Sequence, residues 1–405
     1  MDNNTKTVRR TSRLLENITE SATLAMARIS RELKQSGVDV VSLSLGEPDF
    51  DTPGFIKNAA KKALDDNITH YPPVNGILEV RQAIALKFQR DNGLKYTADE
   101  IVISTGAKQA ISNAIFALVD PGEEVVMPSP FWVSYAELVK MAGGIPVLLP
   151  ASITTDFKIH HQQLREVLSE KTKLIIYSSP CNPTGSVYSR EELQSFANVI
   201  LEFDNLFVIS DEIYELINFT GKTVSMASIP DMWDRTITVN GVSKAFAMTG
   251  WRIGYLGAPK WIADACAKMQ GQITSGANSI AQMATKAAVE SDPSVVQFMV
   301  DTFKKRRDLV YQLLKDIPGI TVNLPDGAFY FFPNVSHYFG TSYKHYTINN
   351  ANDLCTYLLE QHHVAVVTGE AFGDQECIRI SYAASEDVLR EALRRIKSGL
   401  SDLHQ

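Results

Sequence analysis

Cysteine is scarce in this chain of 405 residues. Its four cysteines, Cys181, Cys266, Cys355 and Cys377, lie far apart and form no C-x-x-C pair. That spacing argues against a zinc site and a disulfide scaffold, and it fits a reducing cytoplasm. Long apolar runs are missing too. No stretch suits a membrane span, and the start Met1-Asp2-Asn3-Asn4-Thr5-Lys6 carries no apolar signal segment. The absence of G-x-G-x-x-G and of a P-loop removes the main sequence support for a dinucleotide or triphosphate site. Positive charge is not in excess either: the net charge of −7 gives no hint of nucleic-acid affinity. One basic run, Lys304-Lys305-Arg306-Arg307, falls in an amphipathic helical pattern over residues 295–314 and reads as a solvated helix face. The pairs His160-His161 and His362-His363 are adjacent residues, which cannot both face one metal from a helix or strand. They read as surface or edge residues, and no metal is expected.

What is present is an ordinary globular composition, 45% hydrophobic and 21% charged. At this length two domains are expected. Strand-like apolar runs alternate with helical patterns through the middle of the chain. Residues 101–104 precede a helix over 107–118, and 124–127 precede a helix over 132–141; runs at 173–177, 206–209 and 237–239 follow. This pattern predicts an α/β fold with a mostly parallel central sheet and helices on both faces, whose ligands bind at the carboxyl ends of the strands. The last part reads as a smaller α+β domain, with strands near 327–332 and 377–381. A helix over residues 23–35, stopped by Gly37, and a strand over 40–45 are expected to join it. The expected division is residues 1–48 and 291–405 for a discontinuous small domain and 49–290 for the large one.

Lys244 is the most informative residue. It sits in Ser243-Lys244-Ala245-Phe246, after a strand-like run, and Thr249-Gly250-Trp251-Arg252-Ile253-Gly254 follows. A lysine in surroundings that favour its neutral amine condenses with an aldehyde. Ser243 and Arg252 beside it suit a phosphate, so the segment describes a site for a phosphorylated aldehyde such as pyridoxal phosphate.

Other segments supply the rest of such a site. Asp211 ends an apolar run, where a carboxylate is costly unless paired; it suits a protonated pyridine nitrogen. Tyr214 can share its face and donate to the ring's phenolic oxygen. The same two residues also suit a helix N-cap and a core tyrosine. Asn182, in Asn182-Pro183-Thr184-Gly185, either marks a turn or donates to that same oxygen. Gly106, Ala107 and Lys108 join a strand to a helix, where exposed amides make an anion site. Trp132 suits ring stacking or the core. Arg379 alternates with Ile378 and Ile380 and suits either a carboxylate or a surface ion pair. Gly46 permits close backbone approach to the same carboxylate. Nothing local explains Tyr71, in a loop with Pro72, Pro73 and Gly76.

With these residues in view, the chain resembles the class I aminotransferases of pyridoxal-phosphate fold type I, from about Ser21 to the C-terminus. It looks closest to the bacterial subgroup that acts on aspartate and sometimes prephenate. The segments that carry the likeness are Gly46-Glu47-Pro48-Asp49-Phe50-Asp51-Thr52-Pro53, Asn182-Pro183-Thr184-Gly185, Ser210-Asp211-Glu212-Ile213-Tyr214, 243–254 and Arg379-Ile380-Ser381-Tyr382-Ala383. The resemblance implies that Lys244 carries the cofactor aldehyde, Asp211 the pyridine nitrogen, and Asn182 and Tyr214 the ring oxygen. It implies that Ser243, Arg252 and the amides near Ala107 and Lys108 hold the phosphate, and that Trp132 stacks on the ring. Arg379, with Gly46 and Asn182, is implied at the substrate's α-carboxylate, and Lys108, Ser21 and Thr23 at a distal carboxylate. Tyr71 matches a tyrosine that reaches a partner subunit's cofactor, so a homodimer is implied. Cys181 departs from the asparagine many relatives carry there.

The expected activity is a two-stage transamination between aspartate or glutamate and 2-oxoglutarate or oxaloacetate, with Lys244 as general base. Alternatives are an aminotransferase for prephenate, aromatic or other amino acids, a β-lyase on the same fold, and a non-catalytic cofactor sensor. A sensor of this kind is fused to a DNA-binding helix-turn-helix, for which the residues before Ser21 are too few.

Overall fold

The computed structural model describes residues 11–221 and 223–404. The start Met1 to Lys6 lies outside them. A short strand β1 (Val41–Ser42) precedes seven longer ones: β2 (Ile101–Ser104), β3 (Glu124–Ser129), β4 (Ile145–Pro150), β5 (Thr172–Ser178), β6 (Phe207–Asp211), β7 (Thr236–Gly241) and β8 (Gly254–Gly257). These seven form one sheet in the order β2-β8-β7-β6-β5-β3-β4. Only β8 runs antiparallel to its neighbours, β2 and β7; the other pairings are parallel.

Alternation along the strands explains the two helical layers. Val125, Met127, Leu174 and Ile176 pack on one side with Ala110, Ile111, Ala114 and Ile115 of the helix Ala107–Leu118. Val126, Ile175 and Tyr177 point the other way, against Leu193, Phe196 and Ile200 of the helix Arg190–Ile200. With both faces covered, the strand centres are largely apolar, and β2, β5 and β6 end in polar residues at their carboxyl ends.

The C-terminal part holds β9 (Tyr330–Phe331), β10 (Ser342–Tyr343), β11 (Tyr346–Thr347), β12 (Val364–Ala365), β13 (Val367–Thr368) and β14 (Ile378–Ser381). β13, β14 and β9 form an antiparallel sheet. Leu389, Leu393, Ile396 and Leu400 of the helix Glu386–Ser401 are buried on its apolar side. β1 pairs in parallel with β12, which ties the N-terminal segment to this part of the chain.

Two expectations are corrected. The strand expected over residues 40–45 is only Val41–Ser42. Beyond it the backbone turns to serve side chains: the Ser44 carbonyl accepts from Arg379 Nη2 at 2.5 Å and the Gly46 carbonyl from Lys244 Nζ at 2.6 Å. The basic run is not a solvated face throughout. Lys304 and Lys305 are exposed, but Arg306 and Arg307 are buried. Arg306 makes a two-pronged pair with Asp49, at 2.6 and 2.8 Å, and lies over the Phe50 ring at 5.2 Å. This pair fastens the long helix Gln297–Lys315 to the segment that carries Gly46 and Glu47.

Removing the cation strands a partly buried carboxylate, which costs more than the pair's net worth. Arg306→Ala should therefore destabilise the fold by about 2 kcal/mol, read as a lower urea midpoint. An unchanged midpoint would show that the pair carries no weight.

Candidate active site

The carboxyl ends of β2, β3, β5, β6 and β7 open onto one cavity of about 330 Å³. Ser21, Thr23, Gly46, Ala107, Lys108, Trp132, Asn182, Asp211, Tyr214, Ser243, Lys244, Arg252 and Arg379 all line it. Gly106 lies just behind. Tyr71 is not brought here: it is 98% exposed, outside the cavity.

Gly106 has φ +84°, and a Cβ there would stand 2.5 Å from Arg252 Nη2. At Gly254 a Cβ would meet the Ala107 nitrogen at 2.1 Å. Only glycine at both places lets the start of the helix Ala107–Leu118 close onto Arg252. The Ala107 and Lys108 amides head that helix, and neither donates to a backbone carbonyl among the described residues. With Ser243 and Arg252 they form a concave anion site at the positive end of a helix. Arg252 is held by donating Nη1 to the Thr249 carbonyl at 2.9 Å.

Asp211 is buried at the end of β6. The Tyr135 hydroxyl donates to its Oδ2 at 2.6 Å and the Ile213 amide to its Oδ1 at 3.3 Å. Burial pushes its carboxyl up to about 6, although these donors and nearby Lys244 all pull it down. No cation pairs with it among the described residues. Lys244 lies in the cavity wall, partly covered, with Nζ donating to the Gly46 carbonyl at 2.6 Å. Burial lowers its amine to about 8, helped by Arg379 and Arg252 and opposed by Glu47 and Asp211. At pH 7 about a tenth of such an amine is neutral, against fewer than about one in a thousand for an ordinary lysine.

Arg379, on β14, is 2% exposed. Its Nη1 donates to Asn182 Oδ1 at 3.0 Å, its ring neighbours are Tyr330 and Phe372, and its Nε has no partner. A buried guanidinium without a carboxylate, held by neutral oxygens, is a ready receptor for an anion. Because Asn182 turns its oxygen to Arg379, its Nδ2 is left as a free donor. Tyr214 is hydrogen-bonded to Tyr330, hydroxyl to hydroxyl, at 2.7 Å. Lys108 Nζ lies 5.0 Å from the Trp132 ring centroid with no carboxylate partner among the described residues, and burial, then Arg252, lowers its amine. Ser21 and Thr23 are hydrogen-bonded to each other at 2.9 Å on the same wall.

A family model described as aminotransferase class I and II matches residues 38–396. The chain belongs to the class I and II aminotransferases. It is 47% identical, over 95% of its length and 82% of the relative's, to the bifunctional aspartate aminotransferase and glutamate/aspartate-prephenate aminotransferase of Petunia hybrida. Among solved structures it superposes on the aspartate aminotransferase of Rhizobium meliloti with TM-score 0.94 at 39% identity, covering 98% of this chain and 100% of that one. The aspartate aminotransferase of Thermus thermophilus with maleate gives TM-score 0.91 at 39% identity, covering 97% and 100%.

The protein is therefore a pyridoxal-phosphate enzyme that transfers amino groups, and the fold is the expected type I fold. The site fits that cofactor on its own chemistry. It offers an unpaired buried carboxylate for a cationic ring nitrogen, a glycine-lined anion cradle for a phosphate, and a half-covered amine of lowered basicity for an aldehyde.

Four residues of this aminotransferase site escaped sequence reading. Tyr135 supports Asp211, Tyr330 supports Tyr214 and flanks Arg379, and the Thr249 hydroxyl donates to Glu47, with both of these lining the cavity. A tyrosine in an apolar pattern reads as core. The available signal for Tyr135 was its place three residues after Trp132, and for Glu47 its place beside Gly46.

The lowered amine gives a direct test. The rate at which cofactor-free protein captures pyridoxal phosphate should rise with pH through a midpoint near 8 and level off above it. A rate still climbing steeply above about pH 9.5 would mean an ordinary lysine.

Proposed function

We propose that this aminotransferase takes the amino group of L-aspartate or L-glutamate and passes it to a 2-oxo acid, 2-oxoglutarate or oxaloacetate, in two successive half-reactions. One observation carries the reading: two cations without carboxylate partners among the described residues, Arg379 and Lys108, line the same cavity as Lys244. A substrate with two carboxylates satisfies both. The names of the relatives support it, and the maleate in the Thermus thermophilus structure is itself a dicarboxylate.

On this reading pyridoxal phosphate supplies an aldehyde for amino-group exchange and a ring that withdraws electrons from the substrate's Cα. Asp211 holds the ring nitrogen's proton by its negative charge, and Tyr135 holds Asp211. Asn182 Nδ2 and the Tyr214 hydroxyl donate to the ring oxygen. Ser243, Arg252 and the amides of Ala107 and Lys108 hold the phosphate, with Gly106 giving Arg252 room. Trp132, in the cavity wall, would stack on the ring. Arg379 grips the α-carboxylate beside Asn182 and Gly46, which fixes the Cα–H bond. Lys244 Nζ would take and hold the proton from the substrate's Cα, for which an amine lowered to about 8 is suited. Lys108, Ser21 and Thr23 receive the distal carboxylate. Prephenate is the second reading, supported by the Petunia hybrida relative's name and by a further cavity that adjoins Lys108.

The same reading makes the enzyme a cytoplasmic homodimer. The exposed ring of Tyr71 then belongs to the partner's cofactor site. Residues 49–290 form the large domain, with 1–48 and 291–405 as the small one, a division supported by the pairing of β1 with β12.

Lys244→Ala should still bind cofactor yet lose transamination by several orders of magnitude; near-normal turnover would refute the proton role. Lys108→Ala should raise KM at least about tenfold for aspartate and glutamate, as loss of a charged contact predicts, and leave KM for alanine and phenylalanine nearly unchanged. Equal effects on all four would sink the distal assignment.

A further inference from the structure

We infer that Glu137 is a positioning residue for the distal end of the substrate site: it holds the N-terminal segment that presents Ser21 and Thr23 beside Lys108. The inference rests on the proposed role of those three residues.

Residues 17–21 have no regular structure between the helices Arg13–Glu16 and Ala22–Gln35. Such a stretch stays in place only if something fixes it. Among the described residues, the hydrogen bonds that tie 17–23 to a distant part of the chain are two, both from Thr19 to Glu137. The Thr19 amide donates to Oε2 at 3.2 Å and the Thr19 hydroxyl to Oε1 at 3.1 Å. Charge-assisted bonds from both donors of one residue fix its orientation as well as its place. Glu137 is itself held, with Lys140 Nζ at 2.9 Å from Oε1. That pair offsets the carboxylate's charge, so the anchor adds little negative potential near Lys108.

The anchor is built on the right element. Glu137 stands on the short helix Ser134–Met141, directly after Trp132. From the same helix Tyr135 reaches inward to Asp211. One helix thus supports the cofactor end through Tyr135 and the distal end through Glu137. The Thr19–Glu137 contact also borders a second cavity of about 660 Å³, which shares Ser21, Lys108 and Ser134 with the first. Freeing Thr19 would therefore loosen the stretch of chain, Thr19 to Ala22, that lines that space beside Lys108.

The consequence is specific. Losing Glu137 should impair recognition of a distal carboxylate and spare the chemistry at Lys244. The test uses holoenzyme of Glu137→Ala and Glu137→Gln, with amide hydrogen exchange and steady-state kinetics. In Glu137→Ala, exchange at the Thr19 amide and at the Leu24 and Ala25 amides, which donate to the Ser21 carbonyl, should speed up at least about tenfold, and aspartate KM should rise about tenfold, the loss expected for one to two such bonds. Turnover, alanine KM and the cofactor absorption should hold. Glu137→Gln keeps an accepting oxygen and should fall between. Unchanged exchange overturns the inference, as does an alanine KM that rises equally. Faster exchange with unchanged aspartate KM also overturns it, and leaves the Lys108 reading to stand on its own variant.

Discussion

Three ionisable groups, Asp211, Lys244 and Arg379, are gathered in one cavity and none forms an ion pair among the described residues. The site depends on that constraint. Each charge is costly out of water, and the protein meets the cost with neutral oxygens and hydroxyls rather than opposite charges. Asp211 has Tyr135 and the Ile213 amide, Lys244 has the Gly46 carbonyl, and Arg379 has Asn182 and the Ser44 carbonyl. Neutral partners leave the charges available. An ion pair in any of the three places would close the site to its ligand.

The fold makes that arrangement possible. Five strands end at one edge of the sheet, so side chains distant in sequence meet without long loops. Gly106 and Gly254 let the helix that follows β2 close onto Arg252. Arg379 comes from the C-terminal part of the chain, on β14, and with Gly46 it closes the cavity opposite the strand ends. The Asp49–Arg306 pair and the Thr19–Glu137 contact hold down the two N-terminal stretches that complete the wall.

The sheet was legible in the sequence because parallel strands covered on both faces are plain apolar runs, as 174–177 and 206–209 are. The chemistry was legible where a charge interrupts such a run: Asp211 at the end of β6, Arg379 between two isoleucines. What escaped was whatever depends on a partner far away in the chain. Arg306 looked like part of a solvated face because its partner, Asp49, is 257 residues distant. The strand expected over 40–45 is shorter, and past it the Ser44 carbonyl serves Arg379, which no local pattern records. The structure brings Asn182 to the cavity, but its grip on Arg379, which frees its amide for the cavity, belongs to the three-dimensional arrangement alone.

The most direct measurement is a single turnover of the cofactor-loaded enzyme with L-aspartate and no acceptor, following the cofactor's absorption and the released product together. The account predicts one equivalent of oxaloacetate per site, conversion of the cofactor to its amine form, and reversal on adding 2-oxoglutarate. Release of pyruvate and ammonia with the cofactor unchanged, or no reaction with aspartate at all, would contradict it.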